Sequence, residues 1–167
     1  HHTMENYAAE KSKLFLTPAL RAACINRDDP WGLKFIDLVR DDVELFTYSL
    51  SDHGQVSGSR TVTPVSGRIL AARPNSLTLR VETPSSEAVF SSPVVGRFNA
   101  YNMLATICVL LSKGLSLEAA TKSLVDLALV PGRMESFGGT DTTPLVVVDY
   151  SHTPASLEAA LGALRDH

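Results

Sequence analysis

Two short motifs near the end of the chain carry residue types suited to holding one ligand from two sides. Val130-Pro131-Gly132-Arg133-Met134-Glu135 places an arginine directly after a Pro-Gly turn. Val146-Val147-Val148-Asp149-Tyr150-Ser151-His152-Thr153-Pro154 places a carboxylate at the end of an apolar run. A turn that pins its own backbone aims a guanidinium at a phosphate or ribose. A carboxylate at the carboxyl end of a strand stands where ligands gather in open α/β sheets, and it accepts hydrogen bonds from sugar hydroxyls. Between the motifs, Phe137-Gly138-Gly139-Thr140-Asp141-Thr142-Thr143-Pro144 reads as a flexible linker. Two domains share a nucleotide in this way, so an ATP-using enzyme is the leading reading. On position alone, a solvated loop arginine and a helix-side cap remain alternatives for Arg133 and Asp149.

Other residues add to the set. Tyr150 and His152 follow Asp149 on the same loop; a single loop histidine also serves as a brace. Asn99 and Asn102 flank Tyr101 at the start of a long helix. A side-chain amide both donates to and accepts from an adenine edge, which no charged side chain does. Helix capping is the competing role, stronger for Asn99 than for Asn102, which falls inside the helix where asparagine is disfavoured. Lys11 shares a helical face with Met4, Tyr7 and Ala8. An ordinary surface lysine is the simple reading. Partial burial would favour the neutral amine, which adds carbon dioxide to give a carbamate, an oxygen ligand for Mg²⁺.

The elements that must position these residues follow from local pattern. Thr3 caps a helix from Met4 to about Phe15. Ala22 to Ile25 is a short buried strand, and Asp29 with Pro30 starts a helix running to about Val39. Val43 to Tyr48 is a further strand. Ser51 to Ser59, rich in serine and glycine, reads as a surface loop. Thr61 to Leu70, Ser76 to Glu82 and Glu87 to Phe90 alternate as an antiparallel meander, the first two joined by Arg73-Pro74-Asn75-Ser76. Met103, Leu104, Ile107, Cys108 and Leu111 recur at helical spacing. Ser116 caps a helix from Leu117 to about Leu127. Leu145 to Val148, a loop and a helix from about Pro154 read as the opening of a parallel α/β domain.

Composition bounds the partners. The chain has 167 residues, 44% of them hydrophobic, and a formal net charge of −3. With no basic stripe, nucleic acid and anionic membrane are poor partners. No apolar run is long enough to span a bilayer. Cys24 and Cys108 lie in apolar segments and read as buried reduced thiols of a cytoplasmic protein. There is no zinc spacing and no Gly-x-x-x-x-Gly-Lys-Ser/Thr phosphate loop. His1-His2 suits either a tag remnant or native sequence, and both ends read as cuts within a longer protein.

The segments Thr3-Met4-Glu5-Asn6-Tyr7 with Lys11, Ile25-Asn26-Arg27-Asp28-Asp29, Gly96-Arg97-Phe98-Asn99-Ala100-Tyr101-Asn102, Pro131-Gly132-Arg133-Met134-Glu135 and Val147-Val148-Asp149-Tyr150-Ser151-His152-Thr153-Pro154 occur in the order found in the Mur ligases. The chain resembles that family, and within it the tripeptide-synthetase branch. The resemblance implies an α/β fold: residues 1–137 as the second half of a central ATP-binding domain, 138–144 as a linker, and 145–167 as the first strand and helix of a Rossmann-like C-terminal domain. It implies ATP and Mg²⁺ as cofactors, and UDP-N-acetylmuramoyl-dipeptide and a diamino acid as substrates of a cytoplasmic enzyme of peptidoglycan precursor synthesis. By resemblance, Lys11 matches a carbamylated lysine that supports Mg²⁺, and Asn102 matches a residue near the adenine. Arg133 and Asp149 hold the nucleotide, with Tyr150 and His152 beside them. Ser151 stands where the family commonly has Ala, and Ala155-Ser156 where it commonly has Asp-Ala. Without its phosphate loop the chain alone is expected to be inactive. A non-catalytic scaffold derived from this fold, or another ligase of the superfamily such as the folate-polyglutamating enzymes, are the alternatives.

Overall fold

A computed structural model of the chain describes residues 3–51, 61–73, 75–128, 130–140 and 142–165. The expected serine-rich loop, apart from Ser51, falls outside the described residues, as do His1, His2, Pro74 and Asp141.

Thr3 accepts from the Asn6 N–H and opens α1, Met4–Ser12, which tightens into a 3-10 turn over Lys13–Leu16 rather than continuing as α-helix to Phe15. Strand β1, Ala22–Asn26, leads through α2, Pro30–Ile36, to β2, Glu44–Ser49. Asp29 caps α2 by accepting from the Trp31 N–H, with Pro30 at the first helical position. β1 pairs parallel with β2, and β2 pairs parallel with β3, Val62–Arg73. The expected meander then follows: β3 pairs antiparallel with β4, Ser76–Thr83, and β4 with β5, Ser86–Ser92. The sheet order is β1-β2-β3-β4-β5.

Helix α3, Arg97–Ser112, lies across this mixed sheet. Its Met103, Leu104, Ile107 and Cys108 pack against Phe46, Val65, Leu77, Leu79, Val81 and Phe90. The contact is close because Gly67 has no side chain: a Cβ there would stand 2.8 Å from Leu104 Cδ1. On the opposite face, Ala23, Ile25 and Leu45 pack with Val39, Val43 and Phe35. Both cysteines are free thiols; Cys108 is buried and Cys24 only half-buried.

Helix α4, Leu117–Lys122, starts at its Ser116 cap but stops short of the expected Leu127. Thr121 and Ser123 hydroxyls donate back to the carbonyls of Leu117 and Ala120, and the Leu124 N–H bonds to the Thr121 carbonyl, which closes the helix in a tight turn.

The segment expected to be a flexible linker is instead ordered. Strands β6, Glu135–Thr140, and β7, Thr143–Val148, form an antiparallel hairpin, Glu135 opposite Val148 and Thr140 opposite Thr143. Gly138 and Gly139 hold φ of 73° and 75°, backbone open to glycine. A Cβ on Gly138 would lie 2.3 Å from the Pro144 carbonyl oxygen. The two glycines therefore permit a close ladder. β7 pairs antiparallel with β6 and is largely exposed, whereas the apolar run suggested a buried strand of a parallel sheet. Helix α5, Pro154–Arg165, returns so that Ala160 and Ala163 pack with Val95 and Met134.

Gly32 tests the packing of α2 on β1. A Cβ there would sit 1.8 Å from the Asn26 carbonyl oxygen. Gly→Ala inside a helix ordinarily stabilises by about 1 kcal/mol. Here the overlap is expected to reverse the sign, so Gly32→Ala lowers stability by about 1–3 kcal/mol in urea unfolding.

Candidate functional site

The hairpin register builds one wall of a cleft. With Glu135 opposite Val148, the next pair outward is Met134 and Asp149. The Met134 N–H donates to Asp149 Oδ2 at 3.0 Å, closing the open end of the hairpin with a side chain. Upstream, the Arg133 N–H bonds to the Val130 carbonyl at 3.1 Å, and the Gly132 N–H donates to Glu135 Oε2 at 2.9 Å. Met134 is buried and held at φ 52°, a left-handed conformation that a non-glycine residue enters at a cost of about 1–2 kcal/mol. This turn carries Arg133.

Asp149 is held from a second direction. The Ser151 hydroxyl donates to its Oδ1, and also lies 3.1 Å from the Ser156 carbonyl. Thr153 and Ser156 cap α5 reciprocally: the Thr153 N–H donates to Ser156 Oγ at 3.0 Å and the Ser156 N–H to Thr153 Oγ1 at 3.2 Å. The loop from β7 to α5 is thus fixed at both ends.

The cleft lies between this loop, the 127–133 segment and the start of α3, with a volume of about 660 Å³. Six sequence-nominated residues line it together: Asn99, Asn102, Arg133, Asp149, Tyr150 and His152. Asn99 Nδ2 donates to the Val95 carbonyl at 2.8 Å, and Asn102 Nδ2 donates to Asn99 Oδ1 at 3.1 Å. Asn99 therefore braces the helix entry through its amide, while Gly96 occupies the cap position. The Arg133 guanidinium lies 5.1 Å from the Tyr150 ring centroid. His152 meets that ring edge-on at 5.1 Å, and its Nδ1 is 2.9 Å from the Tyr150 carbonyl. A carbonyl only accepts, so Nδ1 carries the proton in this contact. Val94, Phe98, Leu127, Ala128 and Val130 supply an apolar lining.

Lys11 stands apart. It is exposed on α1, its Nζ 5.3 Å from the Tyr7 ring, and it does not line the cleft. The partial burial considered for it is not observed. Ser151, Thr153, Ser156 and the Met134 backbone shape the cleft without having been singled out. The Thr-x-x-Ser spacing before an apolar helix was the available signal for the cap.

An apolar slot of this size suits the flat base of a small ligand. Side-chain amides at one end suit a base edge, the carboxylate suits vicinal hydroxyls, and the exposed guanidinium suits an anion. The donor set fits the nucleoside end of a nucleotide. Among the described residues no group of three His, Cys, Asp or Glu side chains converges on a metal position, so no step is derived through a metal.

Asp149 makes the site sensitive to acid. Burial works to raise its pKa, but hydrogen bonds from the Ser151 hydroxyl and the Met134 and Ser151 N–H groups, with the Arg133 charge nearby, hold it below the ordinary carboxylate value. A depressed folded-state pKa contributes stability above the unfolded value and loses it as pH falls through the folded one. Hydrogen exchange at the Met134 amide is therefore expected to lose protection as pH drops below the usual aspartate range, once intrinsic exchange rates are divided out. Asp149→Asn is expected to abolish that dependence.

The Mur ligase middle domain family matches residues 1–110. The UDP-N-acetylmuramoyl-L-alanyl-D-glutamate–2,6-diaminopimelate ligase of Pseudomonas aeruginosa is 42% identical over 167 residues, covering 100% of this chain and 32% of the relative. The ligase of the same name from Synechocystis sp. is 41% identical, covering 99% and 31%. A solved ligase of that name superposes with a TM-score of 0.75 at 29% identity, over 100% of this chain and 33% of its own. MurF from Acinetobacter baumannii superposes at 0.80 with 19% identity, over 98% and 33%, a likeness of fold. The chain spans about a third of the length of the curated relatives it matches.

Proposed function

This chain belongs to the Mur ligase family, and on that premise we propose that the protein carrying it joins 2,6-diaminopimelate to UDP-N-acetylmuramoyl-L-alanyl-D-glutamate. The reaction is an ATP-dependent amide ligation of peptidoglycan precursor synthesis in the cytoplasm. The observation that carries the reading is the 42% identity across all 167 residues to a ligase of that name. The cleft agrees with it, because the residues suited to a nucleoside meet there. Among the described residues no helix is long and apolar enough to cross a membrane.

In this reading, bound ATP supplies a phosphoryl group that activates a substrate carboxylate, so that an incoming amine can displace phosphate. The chain's own residues bind and orient the nucleotide. Asn102, with Asn99 bracing it, offers an amide to the adenine edge. Asp149 accepts from ribose hydroxyls while keeping its bond to the Met134 N–H. Arg133 directs its charge toward the phosphates, and the Tyr150 ring holds it at the mouth of the cleft. His152 props that ring from the edge. Lys11 is the residue that would carry a carbamate oxygen toward Mg²⁺ in this reading; exposed on α1, it lacks the burial that favours the neutral amine. Residues 1–137 belong to a central ATP-binding domain and residues 145–167 open a C-terminal ligase domain, a division that falls within the β6–β7 hairpin.

The full-length protein is expected to release phosphate only when ATP, the dipeptide nucleotide and 2,6-diaminopimelate are all present. Asp149→Ala removes charge-assisted hydrogen bonds of about 1.5–3 kcal/mol, so KM for ATP is expected to rise roughly tenfold to a hundredfold. The isolated 167-residue chain is expected to form no product. Equal turnover with lysine in place of diaminopimelate, or turnover without ATP, would refute the reading.

A further inference from the structure

Asp28 receives three donors that the cleft does not explain. Ser49 Oγ donates to its Oδ1 at 2.6 Å. The Leu50 N–H and the Tyr101 hydroxyl each donate to its Oδ2 at 2.8 Å. The carboxylate thus ties the end of β2 to the first turns of α3 from the loop that follows β1.

That loop is itself built firmly. Asn26 Oδ1 accepts from the Asp28 N–H at 2.9 Å, and the Arg27 N–H bonds to the Tyr48 carbonyl at 2.9 Å. Gly32 lets α2 close onto the Asn26 carbonyl. Asp28 is therefore a fixed anchor on the sheet. Its distal partner, Tyr101, lies between Asn99 and Asn102, the two amides that face the cleft. Burial and the hydrogen bond to Asp28 both raise the Tyr101 pKa, which keeps its hydroxyl protonated as the donor. On its other side the turn is held by Asn99 bonding to the Val95 carbonyl.

We propose that Asp28 and Tyr101 are positioning residues for base selection, holding the first turn of α3 so that the Asn102 amide meets the edge of a purine. The proposal rests on the reading of the cleft as the adenosine site. An amide reads a base edge only at a fixed distance and angle, because a hydrogen bond weakens steeply when misaligned. Loosening the turn should therefore reduce discrimination between bases more than it reduces binding of the parts they share.

The experiment measures the affinity of the full-length protein for ATP and for ITP, which differ at the purine 6-position. Wild type, Tyr101→Phe, Asp28→Asn and, as a control for general loss of stability, Leu104→Ala are compared by calorimetry, each with its Tm. Wild type is expected to prefer ATP. Tyr101→Phe is expected to cut that preference roughly tenfold, the worth of one well-placed hydrogen bond. Asp28→Asn, which keeps an acceptor for the Tyr101 hydroxyl, is expected to lose less. Leu104→Ala is expected to lower Tm and leave the ATP-to-ITP ratio unchanged. An unchanged ratio in Tyr101→Phe, or an equal fall in Leu104→Ala, overturns the positioning role. No ATP preference in wild type overturns the adenosine reading, and the proposal with it.

Discussion

The hydrogen bond from the Met134 N–H to Asp149 sets the geometry of the cleft. It joins the residue before β6 to the residue after β7, where the backbone ladder has run out. Without it the hairpin would splay at the end that faces α3. With it, Arg133 and the 149–153 loop are held across one opening. Because the acceptor is a carboxylate with two oxygens, one can serve the backbone while the other serves the Ser151 hydroxyl or a ligand hydroxyl. The same group thus shapes the site and offers it chemistry, and the strained Met134 backbone is tolerated because burial and this bond over-determine it.

The start of α3 supplies the opposite wall, and the sheet holds that helix in place. α3 cannot shift along the sheet without breaking its seat against Leu77, Leu79 and Val81 or the Asp28–Tyr101 contact. The helix entry is therefore rigid, and Asn99 and Asn102 project from it. α5 packs on the same entry: a Cβ on Gly96 would stand 2.8 Å from the Ala163 Cβ. The hairpin and α5 thus rest on the very turn that carries the two amides. A change in how they dock would alter the cleft directly.

Local chemistry made much of this legible in the sequence. Thr3, Asp29 and Ser116 marked three helix starts because each is a side-chain cap. The alternation in β3 to β5 and the helical spacing of Met103, Leu104 and Ile107 marked the main core. Six of the seven nominated site residues meet in one cleft. What failed was the reading of Gly138 and Gly139 as flexible, since glycine signals either freedom or a close approach, and only the partner strand decides which. Lys11 is exposed, as an ordinary surface lysine would be, on a helix face where Ala8 is buried while Met4 and Tyr7 are exposed. The Asp28–Tyr101 bond spans 73 positions and leaves no local trace.

The central claim is that the cleft between the start of α3 and the 149–153 loop holds adenosine. Photolabelling of the full-length protein with 8-azido-ATP, followed by peptide mapping, tests it most directly. The account predicts labelling confined to the cleft lining, at residues 94–102, 127–133 or 149–160, and suppressed by excess ATP. ATP-suppressible labelling that falls wholly outside those segments would contradict it.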